Sequence, residues 1–101
     1  MISNNKGHIV NVSSTAARDM YPGGNVYSAT KCAVDGITKS LRIDLLKNNI
    51  KVSSIAPGMV DTEFSEVRFH GDKKKAKTVY KGFKPLSAED VADSIHYIVS
   101  R

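Results

Sequence analysis

Cysteine is almost missing from this chain: Cys32 is the only one in 101 residues. A single thiol closes no internal disulfide, which points to a reducing, cytoplasmic compartment. Trp is absent and aromatic residues make up only 7%. No segment approaches the ~18 consecutive apolar residues of a membrane span. Ser3-Asn4-Asn5-Lys6 follows Met1-Ile2 where the apolar core of a signal peptide would begin, so no signal peptide is expected. The three histidines, His8, His70 and His96, lack metal-ligand spacing and read as structural or exposed, so no metal is expected. Internal repeats and a second domain are also absent. What remains is ordinary globular composition, 41% hydrophobic and 25% charged. The length suits one small domain with a modest core.

The chain carries a formal charge of +5, and the excess is local. Residues 72–84 hold six Lys against one Asp, whereas the segments on either side nearly balance. Such a run can be a phosphate-binding patch. It reads better as a solvated helix face or loop. Tyr80 and Phe83 do not interleave with the lysines as a base-stacking surface requires, so no nucleic-acid partner is expected.

Hydrophobic periodicity gives the elements. After Lys6-Gly7, His8 to Ser13 alternates with β-branched residues and reads as a buried strand. Residues 15–25 form a loop closed by Tyr21-Pro22-Gly23-Gly24-Asn25. A helix is expected from about Val26 to Lys47, with Ala33, Val34, Ile37, Leu41 and Leu45 as its apolar stripe. Asn48-Asn49 suits its stop. Lys51 to Ala56 reads as a second strand ended by Pro57-Gly58. Strand, long crossover helix, strand is a βαβ unit, expected to be parallel and right-handed. Asp61 to Phe69 reads as a short helix, and the lysine-rich stretch as helical to about Tyr80. Ser87-Ala88-Glu89-Asp90 opens a last helix: Ser87 caps it, and the acids favour the positive end of its dipole. Val91, Ile95, Ile98 and Val99 are its expected buried stripe.

Tyr27 and Lys31 lie four residues apart on the long helix, hence on one face. An ammonium close to a phenol favours the phenolate, and such a tyrosine can move protons nearer neutral pH. A chance Tyr-x-x-x-Lys is easily found, and Tyr80 with Lys84 supplies a second copy. Gly82 and Pro85 spoil the helix there. The first copy has company. Ser14 ends the first strand thirteen residues before Tyr27, and Pro57-Gly58 ends the second strand at the same rim. Ligands of parallel α/β sheets bind at the carboxyl ends of the strands. Cys32 reads as a small buried residue rather than a nucleophile.

Asn11-Val12-Ser13-Ser14, Tyr27-Ser28-Ala29-Thr30-Lys31 and Pro57-Gly58-Met59-Val60-Asp61-Thr62 together resemble the short-chain dehydrogenase/reductase family, in order and at its spacing. The resemblance implies an α/β fold: the C-terminal half of a Rossmann-like, doubly wound parallel sheet in three layers, with residues 1–101 forming part of a single NAD(P)-binding domain. It implies an oxidoreductase moving a hydride between NADP (or NAD) and a hydroxyl or carbonyl substrate. Tyr27 would be the acid/base. Lys31 would lower its pKa and hold the nicotinamide ribose, and Ser14 would bond the substrate oxygen. Pro57, Gly58, Val60 and the Thr62 hydroxyl would line the nicotinamide pocket; a helix cap is the other reading of Thr62. Gly23-Gly24-Asn25-Val26-Tyr27 and the segment Glu66 to Asp72 are similar to the family's NADP-dependent 3-hydroxy acid dehydrogenases. In that setting Arg68 either faces a substrate carboxylate or lies on the surface.

The family's glycine-rich phosphate loop is not in these 101 residues, nor is the residue that selects NAD or NADP. The chain is therefore expected to be the catalytic part of a domain more than twice its length, inactive by itself. In the family the long helix packs on a partner subunit, which implies a homo-oligomer. The alternative function is an inactive interaction or dimerisation module.

Overall fold

A computed structural model describes residues 1–64, 67 and 82–101. Strand β1 (Gly7–Val12) leads through a 3-10 turn at Thr15–Ala17 into helix α1 (Asn25–Asp44). A second 3-10 turn at Leu46–Asn48 precedes strand β2 (Ile50–Ile55). Two short strands follow, β3 (Val60–Asp61) and β4 (Leu86–Ser87), and then helix α2 (Ala88–Ser100). Strands β1 and β2 pair in parallel from Gly7↔Ile50 to Val12↔Ile55. The expected βαβ unit is therefore present, with the α/β architecture of a Rossmann-like sheet.

Asn49 adopts the left-handed conformation at φ 52°, which ends the crossover and turns the chain into β2. The second rim is built differently from expectation. Val60 and Asp61 do not begin a helix; they pair in parallel with Leu86 and Ser87. A two-residue strand has no periodicity, and its partner lies 26 positions away in sequence. The helical backbone starts only at Phe64. The lysine run from Lys73 to Lys81, together with Arg68 and His70, lies outside the described residues.

Helix α1 is held against the sheet by polar tethers at three levels. Lys31 Nζ donates to the Val12 carbonyl at 3.0 Å. Asn11 Nδ2 donates to Thr38 Oγ1 at 2.9 Å, and that hydroxyl donates to the Val34 carbonyl at 2.8 Å. Arg42 Nε donates to the Val52 carbonyl at 2.8 Å. These anchors rotate the helix so that Ser28 and Thr38 are its buried residues. The expected stripe is corrected accordingly: Ala33 is exposed and Ile37 is 57% exposed, while Val34, Leu41 and Leu45 are half-buried. Helix α2 needs a similar correction. Val91, Ile95 and Ile98, at helical spacing, are half-buried, but Val99 on their flank is 50% exposed. A layer of two long strands covers only one line of a helix. The same narrowness leaves β1 half-buried rather than buried, with Ile50 and Val52 of β2 in the core.

The start of α2 follows its sequence closely. Ser87 Oγ accepts from the Asp90 amide at 3.1 Å, and the Asp90 carboxylate accepts from the Ser87 amide at 2.8 Å. This reciprocal pair satisfies two amides that the helix leaves free. The bonds from Ser87, first its backbone and then its side chain, with Lys84 nearby, hold the Asp90 carboxyl below its ordinary value.

Candidate active site

The parallel pairing continues past the strands and places two loops side by side. The Ser13 amide donates to the Ile55 carbonyl at 2.7 Å, and the Thr15 amide to the Pro57 carbonyl at 3.1 Å. The Leu86 amide donates to the Met59 carbonyl at 2.9 Å, so the β3–β4 pair flanks the same rim. From the other side, the first turns of α1 bring Tyr27 and Lys31. Between these segments lies a cleft of about 410 Å³.

Ser14, Tyr27, Lys31, Pro57, Gly58, Val60 and Thr62 all line this one cleft. Ser14 is 9% exposed, and its Oγ accepts from the Ala16 amide at 3.1 Å. That bond uses a lone pair and fixes the oxygen while leaving the hydroxyl proton to be donated. The Lys31 ammonium, fixed by the Val12 carbonyl, sits 5.7 Å from the centre of the Tyr27 ring. Cation and phenol ring thus share one turn of helix, as their spacing predicts. Thr62 has a cap-like bond and a place in the cleft lining. Its Oγ1 accepts from the Phe64 amide at 3.3 Å, as a cap does, and the residue lines the cleft.

Several cleft residues were not singled out by the sequence. The Phe64 ring lies 5.5 Å from that of Tyr27, tilted at 43°. It packs beside the Tyr27 ring, yet nothing in an isolated Phe three residues after Asp61 announces that place. Tyr21 and Asp19, from the loop before α1, also line the cleft. A hint for Tyr21 was available in Gly24: a Cβ built there would collide with the Tyr21 ring. Gly24 is required by close approach, whereas Gly23 (φ 79°) is required by backbone conformation. Ser13 also lines the cleft, and its buried hydroxyl has no hydrogen-bond partner among the described residues.

The remaining candidates fall elsewhere. Cys32 is half-buried and its thiol donates to the Ala17 carbonyl at 3.2 Å. His8 Nε2 bonds Ser53 Oγ across the β1–β2 pair at 2.8 Å, and His96 is exposed. No group of three or more metal-ligating side chains occurs among the described residues, and no helix among them is long and apolar enough to cross a membrane.

The profile of the short chain dehydrogenase family matches residues 1–73. The chain belongs to that family. Short chain dehydrogenases similar to it include an NADP-dependent 3-hydroxy acid dehydrogenase of Schizosaccharomyces pombe, 48% identical over 98% of this chain and 38% of that protein. A serine 3-dehydrogenase of Rhizobium radiobacter is 43% identical over 95% of this chain and 39% of that protein. Among solved structures, the closed form of a serine dehydrogenase complexed with NADP+ superposes with a TM-score of 0.96 at 43% identity. That match covers 100% of this chain and 41% of the solved one. The chain thus spans about two fifths of the length of these short chain dehydrogenases.

Proposed function

We propose that this chain is the catalytic part of an NADP-dependent oxidoreductase acting on a small 3-hydroxy acid. The observation that carries the reading is the meeting of Ser14, Tyr27 and Lys31 with the Pro57–Thr62 segment around one cleft. The names of the similar proteins supply the cofactor and the substrate class.

The residues present fit the nicotinamide end of such a cofactor. The unpartnered Ser13 hydroxyl in the cleft wall is a polar group in need of a partner. The space above Gly58 is open to a close approach, since a Cβ there would meet nothing within 4 Å. Tyr27, Lys31, Pro57, Gly58, Val60 and Thr62 would hold it. When bound there, NADP would supply the hydride chemistry at the substrate carbon. The chain handles the proton. In the oxidative direction the Tyr27 oxygen, as phenolate, would take the proton of the substrate hydroxyl and become the phenol. Ser14, its oxygen fixed by the Ala16 amide, donates its own proton in a hydrogen bond to that substrate oxygen and aligns it. Lys31 holds its ammonium 5.7 Å from the centre of the Tyr27 ring, opposite in charge to a phenolate. Phe64 packs beside the Tyr27 ring at 5.5 Å between ring centres.

Self-association through α1 belongs to the same proposal. Val26 and Ile37 are exposed at 72% and 57% on a helix whose opposite face meets the sheet. A second copy covering them would give a dimer by size-exclusion chromatography that Ile37→Glu dissociates.

The test of the function is NADP+ reduction with a panel of 3-hydroxy acids, using the 101 residues alone and joined to their upstream coding sequence. The joined form is expected to turn over. The isolated chain is expected to be inactive, because no phosphate loop lies within it. Tyr27→Phe in the joined form should lower kcat by about 10²–10⁴-fold, the usual worth of a positioned acid/base. Full turnover by that variant would show that Tyr27 is not the proton carrier.

A further inference from the structure

Tyr27, Lys31 and Cys32 lie on adjoining turns of α1 and serve different neighbours. Tyr27 and Lys31 line the cleft. Cys32 follows Lys31, about 100° further round the helix. It lines a separate cavity with Ala17, Arg18 and Lys39. Its thiol donates to the Ala17 carbonyl at 3.2 Å. Ala17 is the last residue of the 3-10 turn Thr15–Ala17. A helix end leaves its last carbonyls without partners inside it, so the thiol satisfies a group that the turn itself cannot.

The same turn fixes Ser14, which caps it. The Ser14 Oγ accepts from the Ala16 amide at 3.1 Å, and the Ser14 carbonyl accepts from the Ala17 amide at 3.1 Å. On the sheet side the turn is tied by the Thr15 amide to the Pro57 carbonyl at 3.1 Å. On the helix side, among the described residues, the Cys32 thiol makes the one side-chain hydrogen bond from α1 to this turn. Resting on the function proposed above, we infer that Cys32 is a positioning residue: through Ala17 it sets the Ser14 hydroxyl relative to the Tyr27 phenol, so that both reach one substrate oxygen. Ala17 and Ser14 belong to one turn, and Cys32 and Tyr27 to one helix, so a single bond registers the two. The thiol itself does no chemistry. A hydrogen bond from Ser14 is strongest when the substrate oxygen carries developing charge, so a misplaced Ser14 raises the barrier more than it weakens binding.

The experiment uses the chain joined to its upstream coding sequence and the best 3-hydroxy acid of the panel. Cys32→Ala should lower kcat by about three- to tenfold, since a thiol is a weak donor and a fraction of an ångström costs less than a full one. KM should stay within about twofold, as expected when the lost interaction belongs to the transition state. Cys32→Ser keeps a donor and should stay within about twofold of the parent in kcat. In a Ser14→Ala background, Cys32→Ala should cost nothing further, because no hydroxyl is left to position. Equal losses in both backgrounds, or a loss in Cys32→Ser as large as in Cys32→Ala, would overturn the inference while leaving the oxidoreductase reading intact. Hydrogen exchange of the Ala16 and Ala17 amides, followed by NMR, reads the same link without turnover. It should quicken in Cys32→Ala and hold in Cys32→Ser; unchanged exchange in Cys32→Ala would also overturn the inference. A joined parent that turns over no 3-hydroxy acid, yet shows Cys32-dependent exchange at Ala16, would remove the oxidoreductase reading and keep the coupling of helix to turn.

Discussion

Replacing Thr38 by Val tests how α1 is fixed against the sheet. Thr38 is 2% exposed, and its hydroxyl is used twice, accepting from Asn11 Nδ2 at 2.9 Å and donating to the Val34 carbonyl at 2.8 Å. Valine keeps nearly the same shape, so packing changes little. What is lost is the acceptor for the half-buried Asn11 amide. The Val34 carbonyl keeps its helical role, so one orphaned donor dominates the cost. An unsatisfied buried donor costs about 1–3 kcal/mol, and partial burial of Asn11 places this site near 1–2. With a urea slope of about 1–2 kcal/mol/M for a small protein, the unfolding midpoint should drop by about 1 M. Urea titration followed by far-UV circular dichroism reads this directly. Replacing both partners, Asn11→Leu with Thr38→Val, removes the orphan. The double variant should therefore lose less than the two single variants summed, with a coupling of about 1 kcal/mol. A Thr38→Val midpoint within 0.2 M of the parent, taken as roughly the noise of such titrations, would refute the reasoning. Lys31 lies two turns before Thr38 on the same face, so the loosened tether should also reach the cleft and raise KM for the nucleotide.

Ser87→Ala removes the cap of α2 and should cost about 1 kcal/mol in a urea titration. The Asp90 carboxyl is held below its ordinary value, so its contribution is full above the unfolded pKa and lost as pH falls through the folded one. Protection of the first-turn amides of α2 from hydrogen exchange should therefore fall on acidification below the ordinary carboxylate range, and Ser87→Ala should abolish that dependence. Gly24→Ala drives a methyl into the Tyr21 ring without backbone strain, because Gly24 has φ −101°. It should cost about 1–3 kcal/mol by overpacking, and Tyr21→Ala in the same background should recover most of it. Phe64→Ala should raise KM several-fold and lower the stability by about 0.5–1.5 kcal/mol for the lost ring pair. An unchanged KM would show that Phe64 does not wall the cleft.

The βαβ unit was readable because each of its elements writes its own period. Alternation in His8–Val12 and Lys51–Ile55, a long 3.6-residue pattern between them, and an Asn stop before β2 are local signals. The spacing of Ser14, Tyr27 and Lys31 was readable for the same reason: a strand end and one helix turn fix it. The rotation of α1 was not. Its apolar residues suggested a stripe through Ala33 and Ile37, yet the helix turns on Lys31, Thr38 and Arg42, whose partners lie on the strands. A polar anchor that reaches a distant carbonyl leaves no trace in hydrophobic periodicity.

By itself, then, the sequence determined the order and type of the main elements, the parallel pairing of the first two strands and the residues gathered at their carboxyl ends. These follow from periodicity, capping and chain geometry, all of which act over a few residues. Only the tertiary structure decided which face of α1 is buried, that Val60-Asp61 pairs with Leu86-Ser87, and that Phe64, Tyr21 and Asp19 line the cleft. Those outcomes depend on hydrogen bonds and contacts between segments far apart along the chain. No local pattern can state them, because the energy that selects them is earned only when the segments meet.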